Sequence, residues 1–435
     1  MAVHPIDYRY GSKKMKEVFE EETKLQLMLD VEAALVRAHA ALGHIPEEAA
    51  DEISSKANTK TVCLERVNEI EDEIKHDIMA VVKALSEKCE YGGYVHLGAT
   101  SNDIIDTTTA LQFKKSLKIV LKDLKEIKEV LKKLTKENAG RVCVGRTHGQ
   151  HSVPTTYGMK FGIFLDEIQR NITRIKASEK NVAGKMAGAV GTMASLEDGI
   201  EIQKLVGEDL GIRMAKISNQ LVQRDIYAEI ISSLAILAST LNKIALEIRN
   251  LQRTEILEVA EAFGKKQVGS STMPHKKNPI TAEKICGLAR VIYSNVIPAL
   301  LNNPLWHERD LTNSSCERAI IPESFVLLDE ILKGTKKILE NLVFFPENIE
   351  KNLNLLKGKN LTEAVMMRLV DKGLGRQEAH ELLRQIAHGD GEFKENLIAN
   401  TTVRNYLSEK EIEVCLDPEN YIGSAVEIVK GILEE

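Results

Sequence analysis

Residues 269–280 read Gly-Ser-Ser-Thr-Met-Pro-His-Lys-Lys-Asn-Pro-Ile. This one stretch holds three adjacent hydroxyls, an imidazole, two ammonium groups and an amide. Gly269 frees the backbone at its start, and Pro274 and Pro279 stiffen it further on. The approach to it, Gly264-Lys265-Lys266-Gln267, is polar and glycine-led. Together these residues predict a mobile loop that leads into a helix and can close over a ligand. A plain linker has no need of Met273-Pro274-His275-Lys276-Lys277-Asn278-Pro279 at its end.

The chain on either side of the loop is helical in pattern. Phe113, Leu117, Val120, Leu124, Ile127, Leu131 and Leu134 alternate steps of four and three, with Lys and Glu between. Ile230, Leu234, Leu237, Leu241, Ile244, Ile248 and Leu251 do the same. Both are heptad seams. A helix over 222–262 around the second seam would be about 60 Å long at ~1.5 Å per residue, longer than a compact domain. Such a helix needs partner helices along its length, and some can come from other subunits. Further helices are predicted over 13–42, 64–87, 156–181 and 281–301, with another after Ser315. The composition agrees. Of 435 residues 43% are hydrophobic but only 4% aromatic, and 10 prolines and 27 glycines leave few breaks. No strand-alternating segment stands out. The expectation is an all-α protein of three helical domains: 1–95, a central long-helix bundle over 96–345, and a smaller domain over 346–435.

With 58 Lys+Arg against 64 Asp+Glu the formal charge is −6, which argues against a nucleic-acid binder. Cys63, Cys89, Cys143, Cys286, Cys316 and Cys415 are scattered and form no Cys-x-x-Cys pair, which suits free thiols in a reducing compartment. Residues 1–16 are polar with no apolar core, so no signal peptide is expected. No apolar run reads as long enough to span a bilayer. A soluble cytoplasmic protein with no membrane partner is the expectation.

Polar, non-periodic inserts interrupt the helical pattern at 96–103, 145–154, 269–280 and 306–318. Inserts at the ends of bundle helices can converge, and helix N-termini favour anions. Together they supply His96, Thr100, Ser101, Arg146, Thr147, His148, His151, Ser270, Ser271, His275, Lys276, Asn278, Arg309, Ser314 and Arg318. This set is rich in cations and hydroxyls and suits a polyanionic ligand. Locally, each piece has a plainer reading. Thr100 or Ser101 can be only a helix cap. His148 and His151 have a metal-compatible spacing, but no acidic residue stands near them in sequence. Arg309 and Arg318 can be surface ion pairs.

The loop Gly-Ser-Ser-Thr-Met-Pro-His-Lys-Lys-Asn-Pro resembles the signature loop of the fumarase/aspartase superfamily, whose members eliminate fumarate from substituted succinates. His275 within it is similar to the adenylosuccinate lyase family. So are Arg9-Tyr10, His76-Asp77, and Trp306-His307-Glu308-Arg309-Asp310 with Ser314 and Arg318. The resemblance covers nearly the whole chain. It implies an all-α homotetramer whose active sites each take residues from three subunits. No cofactor or metal is expected. The implied substrates are adenylosuccinate, giving AMP and fumarate, and the succinylocarboxamide ribotide SAICAR, giving AICAR and fumarate.

The resemblance also implies roles. Ser270 is the expected general base and His148 the general acid, with Glu283 orienting it. Lys276 and Asn278 are expected to hold the substrate carboxylate, assisted by Thr100 and Ser101. His76 counts with both the catalytic and the substrate-binding residues. Lys75, Asp77, His96, Thr147, Gln220 and Ser271 count as substrate contacts. Arg9, Tyr10, Arg309, Ser314 and Arg318 are expected at the phosphate and ribose. Lys75, Asn219, Lys284 and Glu317 depart from the family's usual pattern. The rivals are an argininosuccinate lyase-like enzyme, a carboxymuconate cycloisomerase, or a non-enzymatic scaffold protein. The last would be expected to lose Ser270, His148 or Lys276, and all three are present.

Overall fold

The computed structural model describes residues 4–264 and 266–434. Lys265, part of the loop approach read above, lies outside the described residues. Helices dominate. The helices that frame the core and the candidate site are α1 (Glu21–Ala41), α2 (Leu64–Ile74), α3 (Asp77–Ser86), α4 (Ser101–Glu137), α5 (Tyr157–Asn181), α6 (Asp225–Leu251), α7 (Ile280–Ser294) and α8 (Thr312–Glu340). Two antiparallel strand pairs are added: β1 (Val142–Thr147) with β2 (Gln150–Thr156), and β3 (Val259–Ala260) with β4 (Val343–Phe344).

The chain forms two compact units, each built from three segments. The first takes Met1–Lys125, Asn171–Leu241 and Cys286–Lys333; the second takes Glu126–Arg170, Asn242–Ile285 and Gly334–Glu435. In the first unit both heptad seams are core. Phe113, Leu117, Val120 and Leu124 of α4 are buried, as are Ile230, Leu234, Leu237 and Leu241 of α6. Each such leucine contributes about 1.5–3 kcal/mol by leaving water. Phe113 meets Tyr227 edge-on at 4.9 Å and packs against Phe325 of α8. In the second unit Ile127, Leu131, Ile244 and Ile248 continue the buried seams. A separate small core there joins Val365, Leu369, Phe393, Leu397, Val403 and Ile412.

Several boundaries differ from the sequence pattern, each for a local reason. The 13–42 run is two helices, Lys13–Lys16 and α1. The 64–87 run breaks at Lys75, which takes a left-handed φ of 55°. His76 then caps α3, its Nδ1 accepting from the Met79 amide. The 222–262 run stops at Leu251, so α6 has 27 residues and is about 40 Å long. Beyond it Glu258 is fully buried and draws its partners from three other segments, which a continuing helix would forbid. The 281–301 run breaks at Asn295. Pro298 has no amide to give Ser294, and the Asn295 side chain bonds Glu323 and Ser324 instead.

The insert at 145–154 belongs to a β-hairpin that hydrophobic alternation did not reveal. Its strands pair Arg146 with His151 and Thr147 with Gln150 across the two-residue turn His148-Gly149. Both turn residues have positive φ, 54° and 75°, as a tight twisted hairpin requires. One expectation is corrected. Asp225–Leu251 and Ile280–Leu301 are apolar and long enough, by length and composition, to cross a bilayer. The first is mostly buried inside the protein, as the core helix of a soluble protein also would be.

Candidate active site

The 269–280 loop belongs to the second unit and is closed at its neck by its own residues. Asn278 Nδ2 donates to the Gly269 carbonyl at 2.7 Å. A methyl group on Gly269 would stand 1.8 Å from the Lys276 carbonyl oxygen, so only glycine fits there. Gln252, just after α6, ties both sides of the neck. Its Nε2 donates to the Lys277 carbonyl at 3.0 Å and its Oε1 accepts from the Glu261 amide at 3.0 Å. The Glu261 carboxylate in turn accepts the Thr281 and Ala282 amides, each at 3.1 Å, and so caps α7. That helix N-terminus is therefore already neutralised by the chain itself.

Inside the loop, Ser270 Oγ accepts from the Met273 amide at 3.1 Å and the Thr272 amide at 3.3 Å. Two amides aimed at one hydroxyl oxygen favour negative charge on it. Ser271, His275 and Lys276 are exposed, and Glu283 is exposed on the first turns of α7.

The same unit presents His148. It stands exposed at the hairpin turn, beside Thr147. The hairpin is anchored from below. Arg146 pairs with buried Glu258, whose Oε2 accepts from Tyr157 Oη at 2.6 Å and whose Oε1 accepts from Asn352 Nδ2 at 2.9 Å. Burial, then the Glu258 charge and hydrogen bond, raise the Tyr157 hydroxyl far above its ordinary range, so it stays a donor. His151 is held lower than usual by burial and by Arg146. Among the described residues no hydrogen bond joins Glu283 to His148.

The remaining candidates lie in the first unit. The 96–103 segment is held by α4 and by the small-residue stretch near 188. Asp103 Oδ2 accepts from the Thr100 amide at 2.8 Å, which fixes Thr100 and Ser101 at the start of α4. The same buried carboxylate pairs with fully buried Lys185 and accepts the Ala187 and Gly188 amides. His96, left-handed with φ 66°, places Nδ1 2.7 Å from Glu32 Oε1. Burial pulls the imidazole down. The Glu32 hydrogen bond and charge, with Asp103 beyond, outweigh it and leave His96 titrating above its ordinary value.

Gln220 and Arg309, distant in sequence, meet here: Arg309 Nη1 donates to Gln220 Oε1 at 3.0 Å. Arg318 and Asp77 also meet, at 2.7 Å. His76 and Lys75 are exposed beside Asp77. A cavity of about 300 Å³ is lined by Asp77, Arg309, Asn313, Ser314 and Arg318. Three of the five expected phosphate residues thus share one cavity. Arg9 and Tyr10 are not in its lining. Arg9 lies over the Tyr10 ring at 5.9 Å, and the turn that follows is pinned to α8 by Gly11 and Ser12, whose amides donate to Glu330 and Asp329. Buried Arg224 braces the cavity wall through Asp106 and Glu317.

Sequence reasoning missed Glu32, Asp103, Asp106, Arg224, Gln252, Glu258 and Glu261. For some a signal existed. Glu32 sits within the apolar run Leu29 to Val36, where an unpartnered acid would be costly. Glu258 and Glu261 stand in a similar apolar stretch.

A family model described as lyase matches residues 8–294, and one described as adenylosuccinate lyase C-terminus matches residues 358–432. The adenylosuccinate lyase of Pyrococcus abyssi is 65% identical over 440 residues, covering 100% of this chain and 98% of that protein. That of Methanothermobacter thermautotrophicus is 55% identical over 444 residues, covering 100% and 99%. Among solved structures, a fumarate lyase from a Mesorhizobium species matches with TM-score 0.90 at 30% identity over 98% of each chain. The 3-carboxy-cis,cis-muconate lactonizing enzyme of Pseudomonas putida matches with TM-score 0.91 at 30% identity, covering 99% of this chain and 98% of that one.

Proposed function

The chain belongs to the adenylosuccinate lyase family, and we propose how its residues divide the work of that carbon–nitrogen lyase. The reaction releases fumarate from adenylosuccinate and leaves AMP. In this proposal SAICAR is a second substrate, giving AICAR and fumarate. The cycloisomerase rival shares the fold, but the full-length likeness at 65% identity lies with the adenylosuccinate lyases.

The proton to be removed lies beside a carboxylate and is very weakly acidic. Its carbanion is tolerable only as an aci-carboxylate, with charge held by preorganised donors. Ser270 is the general base in this reading, and the observation that carries it is the pair of loop amides on Ser270 Oγ. They offer the alkoxide two hydrogen bonds before substrate arrives. Lys276 supplies the nearby positive charge for the substrate carboxylate. Asn278 assists through the amide N–H that the Gly269 bond leaves over. His148 donates a proton to the departing nitrogen, so the leaving group goes as a neutral amine. His76 and His96 contact the succinyl part, and Arg309, Ser314 and Arg318 bind the phosphate.

The complete site belongs to a homotetramer in this proposal, with three chains contributing to each site. Two features of one chain support that. His148 and Glu283 stand exposed with no bond to each other. Ile297, Leu300 and Leu301 are 62%, 51% and 67% exposed, an apolar face that a partner would cover. The enzyme works in the cytoplasm, where its six free thiols stay reduced.

The test is incubation with adenylosuccinate while AMP and fumarate are followed, with analytical ultracentrifugation alongside. Absence of fumarate would sink the activity. A monomer with full turnover would sink only the shared site.

A further inference from the structure

We propose that Lys24, on the first turn of α1, is a further ligand for the 5′-phosphate of the nucleotide substrate. This rests on the lyase reading above and adds to it a residue that no motif marks.

Lys24 lines the same cavity of about 300 Å³ as Arg309, Ser314 and Arg318. The cations around this cavity are not equally committed. Arg318 spends a guanidinium nitrogen on Asp77, and Arg224 is held by Asp106 and Glu317. Lys24 makes no side-chain hydrogen bond or ion pair among the described residues. The carboxylate that could take it, Asp77, already accepts from Arg318 with one oxygen and from the Ile78 amide with the other. Glu21 is exposed and forms no bond to Lys24 either.

A half-buried ammonium with no direct hydrogen bond or ion pair is costly, even with the Asp77, Glu21 and Glu71 charges near it. Burial first, and the Arg318 charge second, hold Lys24 below its ordinary range, and the Asp77, Glu21 and Glu71 charges only partly offset them. A second unspent donor lines the same cavity: Arg309 Nε is buried and has no hydrogen-bond partner. Two free donors of positive charge, beside the Ser314 hydroxyl, match a phosphate monoester, which offers three oxygens and close to two negative charges at neutral pH. Lys24 thereby helps the enzyme choose nucleotides over nucleosides.

The experiment compares wild type, Lys24→Met, Lys24→Gln and Lys24→Arg on adenylosuccinate and on its dephosphorylated nucleoside. AMP binding is measured by calorimetry on the same proteins. Removing the charge is expected to lower kcat/KM on adenylosuccinate about tenfold and to weaken AMP binding about tenfold, the worth of one charge-assisted hydrogen bond. The poorer kcat/KM on the nucleoside is expected to stay put, and Lys24→Arg to recover most of the loss. Equal losses on both substrates, or unchanged AMP binding, would overturn the assignment and make Lys24 a structural cation or a carboxylate ligand. Lys24→Gln keeps polarity in the cavity, so it supplies the neutral case if the methionine variant folds poorly. Failure of the lyase reading is a separate result: wild type itself would release no fumarate.

Discussion

The Asn278 side chain donates to the carbonyl of Gly269, nine residues back, and this bond closes the 269–278 loop into a ring. Ser270 and Lys276 are therefore held by the neck rather than by the loop's own contacts with a core. Gly269 is the tightest point, with the Lys276 carbonyl where a side chain would go. Gly269→Ala is expected to displace the neck and lower kcat/KM by about 100-fold, the scale of a 1 Å misplacement. Gln252→Leu, which unties both sides of the neck, is expected to speed proteolysis within 264–279. Steady-state kinetics and limited proteolysis check both. A Gly269→Ala enzyme with wild-type kinetics would show that the neck does not position Ser270.

The hairpin carrying His148 depends on Glu258. Glu258→Ala strands Arg146 in a largely buried position and removes the acceptor of Tyr157 and Asn352. The expected loss is about 3–5 kcal/mol of stability, read from urea unfolding. His148→Asn should behave differently. Asparagine tolerates the left-handed backbone at this exposed turn, so stability should hold while kcat falls about 10²–10⁴-fold. A stable His148→Asn enzyme with full kcat would remove His148 from the chemistry.

His96 and Glu32 give a pH prediction. The folded imidazole titrates above the ordinary 6.5. A raised folded value means stability that is complete below pH 6.5 and is lost as pH rises through the folded value. Glu32→Gln removes the charge and leaves the burial, so His96 should then titrate lower than in wild type. NMR titration of the His96 ring checks the shift. Unfolding of both proteins at pH 5.5 and 8.5 checks the linkage, with the wild-type advantage larger at the acid end. An advantage that grows with pH would contradict it.

The helical architecture was legible because burial imposes a period. The seams from Phe113 and from Ile230 both prove to be core, and both were visible as steps of four and three. Boundaries were less legible because single side chains set them: His76 capping α3, Asn295 bonding across to α8, Glu258 seeking buried partners. The hairpin escaped notice because its strands are short, partly polar and bulged near Gly145, so no alternation built up. The candidate site residues stood out as polar inserts in a regular chain. Their supports did not, since Asp103, Arg224 and Gln252 act through bonds to residues far off in sequence.

Ser270 is the proposed base for the proton whose removal releases fumarate. The most direct measurement of that role is the fumarate formed from adenylosuccinate by wild type and by Ser270→Ala at equal enzyme concentration. Wild type should turn over steadily, and Ser270→Ala should retain binding of AMP while kcat falls about 10²–10⁴-fold, the span of general base catalysis. A Ser270→Ala enzyme that releases fumarate at the wild-type rate would contradict the account.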